Sequence, residues 1–209
     1  NTGVGKLKGK GVVTITHVAG KEQDYTAKHI ILATGARSRE LPNLKQDGKK
    51  IIGYRQALTL PKLPKSMVVV GSGAIGSEFA YFYNALGTEV TLVEFMPNVV
   101  PLEDEEVSKT LERSFKKNKI KVMTDSTVES VDTSGDLCKV KVKTKKGEEF
   151  IEAEIVLSAV GITPNIEGIG LEEAGVAIEK GRVKVDEFYR TNVEGIYAIG
   201  DIVPGPALA

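Results

Sequence analysis

The sequence predicts an α/β fold organised around a parallel sheet. Three observations carry that expectation. Residues 67–70 are an apolar run that reads as a buried strand. The string Gly71-Ser72-Gly73-Ala74-Ile75-Gly76 follows it directly and opens a helical stretch, and residues 89–94 form a second strand that ends in an acid, Glu94. Strand, glycine turn, helix and strand make a βαβ unit, because a helix-period segment between two short apolar runs has to cross over the sheet it came from.

Taken in order, residues 12–18 read as a β-branched strand and residues 25–33 as a second, with Gly20-Lys21-Glu22 as the turn between them. Thr34-Gly35-Ala36 breaks the pattern, and a polar stretch carries Pro42 through to Gly48. Pro61-Lys62-Leu63-Pro64-Lys65 reads as a linker, since each proline biases its predecessor away from helix, so a domain boundary is expected there. After the first strand of the βαβ unit the helix is expected over residues 77–86, with Phe79, Phe82, Tyr83 and Leu86 as its sheet-facing side and Gly87 as its C-terminal stop. A second helix over 103–117 and a strand over 120–123 continue the unit. Strand-like runs at 127–131, 139–143 and 150–158 suggest a small antiparallel crossover, closed by Ala159-Val160-Gly161. Residues 182–201 read as strands and turns.

Composition narrows the function classes. The 209 residues carry 28 Lys+Arg against 28 Asp+Glu and are 41% hydrophobic, so one or two folded domains are expected and disorder is excluded. A neutral chain without a basic stripe offers no electrostatic footprint for nucleic acid. Lys116-Lys117-Asn118-Lys119 reads as a solvated helix end, and Glu103-Asp104-Glu105-Glu106 as a helix start, each matched to the helix dipole. No apolar stretch approaches the ~20 residues of a bilayer span and no signal-peptide pattern opens the chain, so no membrane partner is expected and the expected compartment is the cytoplasm. One cysteine, Cys138, excludes an intrachain disulfide and any Cys-x-x-Cys site. Neither His17 nor His29 has a paired carboxylate or cysteine pattern, so no catalytic residue and no metal site is expected. The start at Asn1 and the apolar finish read as a piece of a longer protein.

The G-x-G-x-x-G string gains weight from its setting. It follows a strand, opens a helix, and Glu94 lies 23 residues after Gly71 at the end of the next strand. This is the full dinucleotide fingerprint of a Rossmann-like, doubly wound domain. Gly71 allows the tight turn, Gly73 lets backbone N–H groups approach a pyrophosphate, and Gly76 lets helix and strand pack closely. Glu94 would accept from the adenosine ribose hydroxyls and repel a 2′-phosphate. Phe95-Met96-Pro97 supplies no arginine, so NAD is favoured over NADP.

Four stretches in order carry a resemblance: Ile31-Leu32-Ala33-Thr34-Gly35; the glycine string with Ser77 and Glu78; Ala159-Val160-Gly161-Ile162-Thr163-Pro164-Asn165; and Arg190-Thr191-Asn192 followed by Gly195-Ile196-Tyr197-Ala198-Ile199-Gly200-Asp201. Over essentially the whole chain they resemble the FAD/NAD-linked disulfide oxidoreductases. Val93-Glu94-Phe95-Met96-Pro97, Glu103-Asp104-Glu105-Glu106-Val107-Ser108-Lys109 and Gly205-Pro206-Ala207-Leu208-Ala209 are most similar to the dihydrolipoamide dehydrogenases among them.

The resemblance implies an NAD-binding domain over 62–163 inserted in a partial FAD-binding domain made of 1–61 and 164–209. It implies that residues 71–78 and Glu94 hold NAD, with Glu78 beside the nicotinamide ribose, Val128 against the adenine and Gly161 bordering the nicotinamide half. Gly5, Thr34, Gly35 and Ala36 match positions that contact FAD, Asp201 the acid on the flavin's ribityl chain, and Ala207, Leu208 and Ala209 the segment under the flavin ring. The family's FAD glycine loop, reactive cysteine pair, His–Glu base and dimer-interface domain have no counterpart in these 209 residues. The parent enzyme implied is a homodimer acting on dihydrolipoyl groups of 2-oxo acid dehydrogenase complexes, with the piece itself inactive. A sister flavoenzyme (mercuric reductase, a soluble transhydrogenase or an NADH oxidase) and a non-catalytic NAD-binding module are the alternatives.

Overall fold

In the computed structural model, residues 3–205 are described. Contacts divide the chain into two units, one formed by Asn1–Arg37 with Thr163–Ala209, the other by Ser38–Ile162, inserted between those two stretches.

The first unit begins with an antiparallel meander of β1 (Gly3–Gly9), β2 (Val12–His17) and β3 (Glu22–Thr26), in that spatial order. Gly11 and Gly20 turn the chain at φ +73° and +78°, the left-handed region that glycine enters without steric cost. The single strand expected over 25–33 is two. Ala27 N–H donates to the Gly11 carbonyl at 2.9 Å and closes the meander, after which β4 (Ile30–Leu32) pairs elsewhere. A short β5 (Ala36–Ser38) ends this stretch.

The second unit contains β6 (Ile51–Ile52), α1 (Tyr54–Ala57), β7 (Ser66–Val70), α2 (Ala74–Ala85), β8 (Glu89–Val93), α3 (Glu105–Lys117), β9 (Lys121–Met123), β10 (Thr127–Asp132), β11 (Cys138–Thr144), β12 (Gly147–Ala153) and β13 (Ile155–Ser158). Its sheet has the order β6-β13-β7-β8-β9, all parallel. Parallel strands bury both faces, and the two-residue period of a strand sorts the side chains between them. Met67, Val69, Val90, Leu92 and Leu157 pack with Ala80, Tyr83 and Phe115 of the helices. Val68, Val70, Val93 and Val156 pack with Val128, Cys138, Val140, Val142 and Ala153 of the antiparallel sheet β10-β11-β12. That small sheet carries the crossover from β9 back to β13, on the far side of β7. The Rossmann-like expectation is therefore met, with a three-stranded crossover layered on the face opposite the helices.

Three local expectations change. The run 150–158 is two strands in different sheets, because Glu154 interrupts it and its carboxylate accepts from Lys65 N–H at 2.8 Å. Helix α2 starts at Ala74 instead of residue 77, so Gly76 and Ser77 lie within it. Its buried side is Gly76, Ser77, Ala80 and Tyr83, with Phe79 partly buried, whereas Phe82 and Leu86 are about half exposed. The reason is distance: where backbone must approach the sheet closely, the small Gly76, Ser77 and Ala80 face it, and of the larger side chains Tyr83 fits the buried side while Phe82 and Leu86 are rotated outward. The start of α3 follows expectation, since Asp104 is the N-cap and accepts from Glu106 N–H at 2.8 Å, with Glu105 and Glu106 in the first turn and Lys116 and Lys117 in the last.

Cys138 is fully buried in this core, and burial pushes its thiol above the ordinary range. The native protein is therefore expected to react with Ellman's reagent only on the timescale of unfolding, and to titrate one thiol per chain once denatured. Rapid native labelling would contradict the packing.

The chain returns to the first unit through β14 (Ile162–Pro164), then β15 (Ile178–Glu179), β16 (Arg182–Val183), β17 (Ile196–Ala198) and a 3-10 turn, Gly200–Ile202. β17 pairs in parallel with β4, Ile196 opposite Ile30 and Ala198 opposite Leu32, and these four close a core with Leu7, Leu171, Val176, Val183, Ile202 and Val203. Among the described residues no helix is long and apolar enough to cross a membrane, and no cluster of His, Cys, Asp or Glu has the form of a metal site.

Candidate functional site

In the second unit the chain runs outward from β7 to β8 and β9 on one side and returns to β13 on the other, so β7 sits at the switch point of the sheet. Loops leaving the carboxyl ends of strands at such a point form the crevice of open α/β folds. Here they are the glycine loop after β7, Glu94 after β8 and Ala159-Val160-Gly161 after β13.

The three glycines of the string have different physical reasons. Gly71 sits at φ +94°, and a β-carbon there would lie 2.5 Å from the Ala159 carbonyl oxygen. A β-carbon on Gly76 would overlap the Gly71 carbonyl oxygen and crowd Ala159. Gly73 is unlike either: its φ of −62° suits any residue, and among the described residues nothing lies within 4 Å of an added β-carbon. No contact among the described residues requires glycine at this N-cap, so the open space above it is a cradle that a side chain would fill. The N–H groups of Ala74, Ile75 and Gly76 open α2 and have no acceptor within the helix, which makes this end receptive to an anion.

Glu94 is only 6% exposed. Its Oε2 accepts from both the N–H and the hydroxyl of Ser72, each at 2.7 Å, and its Oε1 accepts from Met96 N–H at 2.8 Å. The Ser72 carbonyl accepts from Ser77 Oγ at 2.9 Å and from Val100 N–H at 3.0 Å. Glycine loop, helix start and acid thus form one hydrogen-bonded body. Val100 holds φ +41°, an uncommon conformation for a β-branched residue. Nothing in the sequence signals it.

The other expected positions are distributed as follows. Glu78 is exposed on the second turn of α2, because the helix starts at Ala74. Val128 lies at the start of β10 with its side chain in the core and its carbonyl accepting from Asn43 Nδ2 at 2.7 Å. Gly161, exposed at φ +107°, accepts at its carbonyl from Arg39 N–H at 2.9 Å.

In the first unit, parallel pairing of β4 with β17 brings the segments that follow them, Thr34-Gly35-Ala36 and Gly200-Asp201, to the same end of the pair. Thr34 Oγ1 donates to the Asn165 carbonyl at 2.6 Å, Asn165 Nδ2 returns a bond to the Thr34 carbonyl at 3.1 Å, and Asn165 N–H donates to Gly35 at 2.9 Å. Gly5 lies in the meander opposite Ile15. Ala207, Leu208 and Ala209 lie outside the described residues.

Sequence reasoning missed the Arg37–Glu167 pair beside Asn165. Arg37 grips both oxygens of Glu167 at 2.9 and 3.0 Å and also donates to Asn165 Oδ1 at 2.9 Å. The guanidinium hydrogen bond holds the Glu167 carboxyl down at about 2, against an ordinary 4.5. Because the folded value is depressed, the pair contributes fully above about pH 4.5 and is lost as pH falls through about 2. A carboxyl-carbon NMR titration is expected to place Glu167 near 2 and Arg37→Ala to return it towards 4.5; a wild-type midpoint near 4.5 would remove the pair.

A glycine turn and a held carboxylate at the switch point of a parallel sheet define a Rossmann-like nucleotide-binding class. The family model for pyridine nucleotide-disulphide oxidoreductase matches residues 1–209, and the chain belongs to that family. It is similar to dihydrolipoyl dehydrogenase of Rhizobium etli, 47% identical over 90% of this chain and 39% of that protein. It is likewise similar to dihydrolipoyl dehydrogenase of Zymomonas mobilis, 41% identical over 100% of this chain and 45% of that protein. Among solved structures, LpdA from Mycobacterium tuberculosis superposes with a TM-score of 0.88 at 33% identity, covering 99% of this chain and 46% of that one. The chain thus spans less than half the length of the relatives it matches.

Proposed function

We propose that this chain is the NAD-binding part, with adjoining flavin-binding segments, of an enzyme that reoxidises dihydrolipoyl groups of 2-oxo acid dehydrogenase complexes and passes the electrons through a cysteine pair and FAD to NAD+. The observation that carries the nucleotide reading is Gly73, a glycine that no contact among the described residues requires, set at the helix start beside the held Glu94. Identity of 41–47% to dihydrolipoyl dehydrogenases supports the choice of substrate.

When bound, FAD supplies the hydride chemistry between thiol and nicotinamide. The chain's own residues bind and orient. The N–H groups opening α2 take the pyrophosphate and Glu94 the adenosine ribose. Glu78 and Gly161 border the nicotinamide half, and the main chain at Val128 lies along the adenine. Thr34, Gly35, Ala36, Gly5 and Asp201 serve the flavin. The single thiol, Cys138, is buried in the core and takes no part. The same reading makes the complete enzyme a cytoplasmic homodimer.

Titration with NADH and NADPH, followed by nicotinamide fluorescence, is the test. Saturable binding with NADH preferred is expected, and binding of neither would overturn the assignment. The 209-residue chain alone is expected to form no NADH from dihydrolipoamide and NAD+. Turnover by it would overturn the placing of the redox thiols outside these residues.

A further inference from the structure

We propose that Ser72 is a positioning residue that sets the preference between NAD and NADP by locking the carboxylate of Glu94. This rests on the nucleotide reading above. Ser72 lies inside the glycine string, where a hydroxyl would be expected to meet the ligand, yet it is 0% exposed. Its hydroxyl and its N–H both point at one oxygen, Glu94 Oε2, at 2.7 Å each. Ser72 is therefore turned away from the crevice and acts through Glu94.

The consequence follows from counting acceptor sites. An ionised carboxylate has about four lone-pair sites. Two on Oε2 are taken by Ser72 and one on Oε1 by Met96 N–H at 2.8 Å, so the acceptor left for a ribose hydroxyl is on Oε1. The terminal torsion of a glutamate is otherwise broad, and a carboxylate that must be fixed on binding costs affinity. Holding it beforehand favours a ribose that offers a hydroxyl and keeps a fixed negative charge against one that carries a 2′-phosphate.

The same residue anchors its surroundings. Its carbonyl receives Val100 N–H at 3.0 Å and Ser77 Oγ at 2.9 Å, tying the segment between Glu94 and α3 and the first turns of α2 to the lock. That the strained Val100 is held by this bond, with its own carbonyl accepting from Glu103 N–H at 2.9 Å, marks the segment as fixed in place by Ser72.

The test is Ser72→Ala in the 209-residue chain, with dissociation constants for NADH and NADPH measured alongside the melting temperature. NADH binding is expected to weaken roughly tenfold while NADPH changes less than about twofold, so the preference narrows by about tenfold. In a Glu94→Ala background, Ser72→Ala is expected to leave the ratio unchanged, because the lock has nothing to hold. A wild type that prefers NADH together with an Ala variant that keeps the full ratio would overturn the proposal, whatever happens to the melting temperature, since a purely structural serine lowers both affinities alike. Wild-type protein that binds neither nucleotide would instead overturn the underlying nucleotide reading. Should the Ala variant not fold, Ser72→Cys keeps the shape of the side chain at a small increase in size and exchanges the hydroxyl for a weak donor, and the same narrowing or its absence decides.

Discussion

Gly76→Ala is expected to lower the melting temperature by roughly 6–12 °C and to abolish saturable NADH binding, whereas Gly73→Ala leaves stability almost untouched and loses binding alone. At Gly76 the added carbon overlaps the Gly71 carbonyl oxygen, a backbone atom that no rotamer change can move. Relief requires α2 to shift from β7, an overpacking cost of about 3 kcal/mol, which in a chain of this size corresponds to that range of melting temperature. The same shift opens the turn that presents the first N–H groups of α2.

At Gly73 the φ of −62° is ordinary for alanine, and among the described residues nothing lies within 4 Å of the added β-carbon. A slightly poorer N-cap and a less flexible unfolded chain offset each other to within about 0.5 kcal/mol. Only a ligand's pyrophosphate would meet the new methyl group, so a loss of about tenfold or more in affinity is expected. Differential scanning fluorimetry and NADH titration of both variants separate the two roles. Tight NADH binding by Gly73→Ala would remove the loop from the binding site.

What the sequence revealed of this architecture was what is local. Strand, glycine string, helix and acid lie within the 28 consecutive positions 67–94, and each is recognised by its neighbours in the chain. The elements it hid are held by distant partners. β1 (Gly3–Gly9) has three glycines and two lysines in seven residues and no apolar alternation. It is a strand because it pairs with β2, and because Gly3 lets the Thr16 carbonyl come close. Ile51–Ile52 is too short to show a period and exists as an edge beside Val156–Leu157.

The expected sheet-facing side of α2 holds at Phe79 and Tyr83 and fails at Phe82 and Leu86 for a related reason. Periodicity weighs Phe82 and Leu86 more heavily than Gly76 and Ala80, but a close backbone approach selects the smaller side. At the site itself, the pairing of Glu94 with the loop was legible in outline, since the 23-residue spacing signals it. That the carboxylate is gripped by a serine hydroxyl was not, because nothing in a string of small residues says which way a hydroxyl faces.

Glu94→Gln tests the charge in that grip. An amide has one acceptor oxygen and one donor nitrogen, and the pocket offers donors on both sides: Ser72 N–H and hydroxyl on one, Met96 N–H on the other. With the amide oxygen towards Ser72, the NH2 group faces Met96 N–H, donor against donor; flipped, it faces two donors. Either way a group that is 6% exposed in the native state is left with an unmade bond, a cost of about 1–3 kcal/mol. The variant is expected to fold with a melting temperature lowered by several degrees. Its NADH affinity should fall about tenfold, since the remaining Oε1 acceptor is lost or turned away. NADPH affinity should hold or rise, because the fixed negative charge that opposes a 2′-phosphate is gone. If both nucleotides lose affinity in proportion, Glu94 acts only through the shape of the loop, and cofactor choice lies with other residues of the crevice.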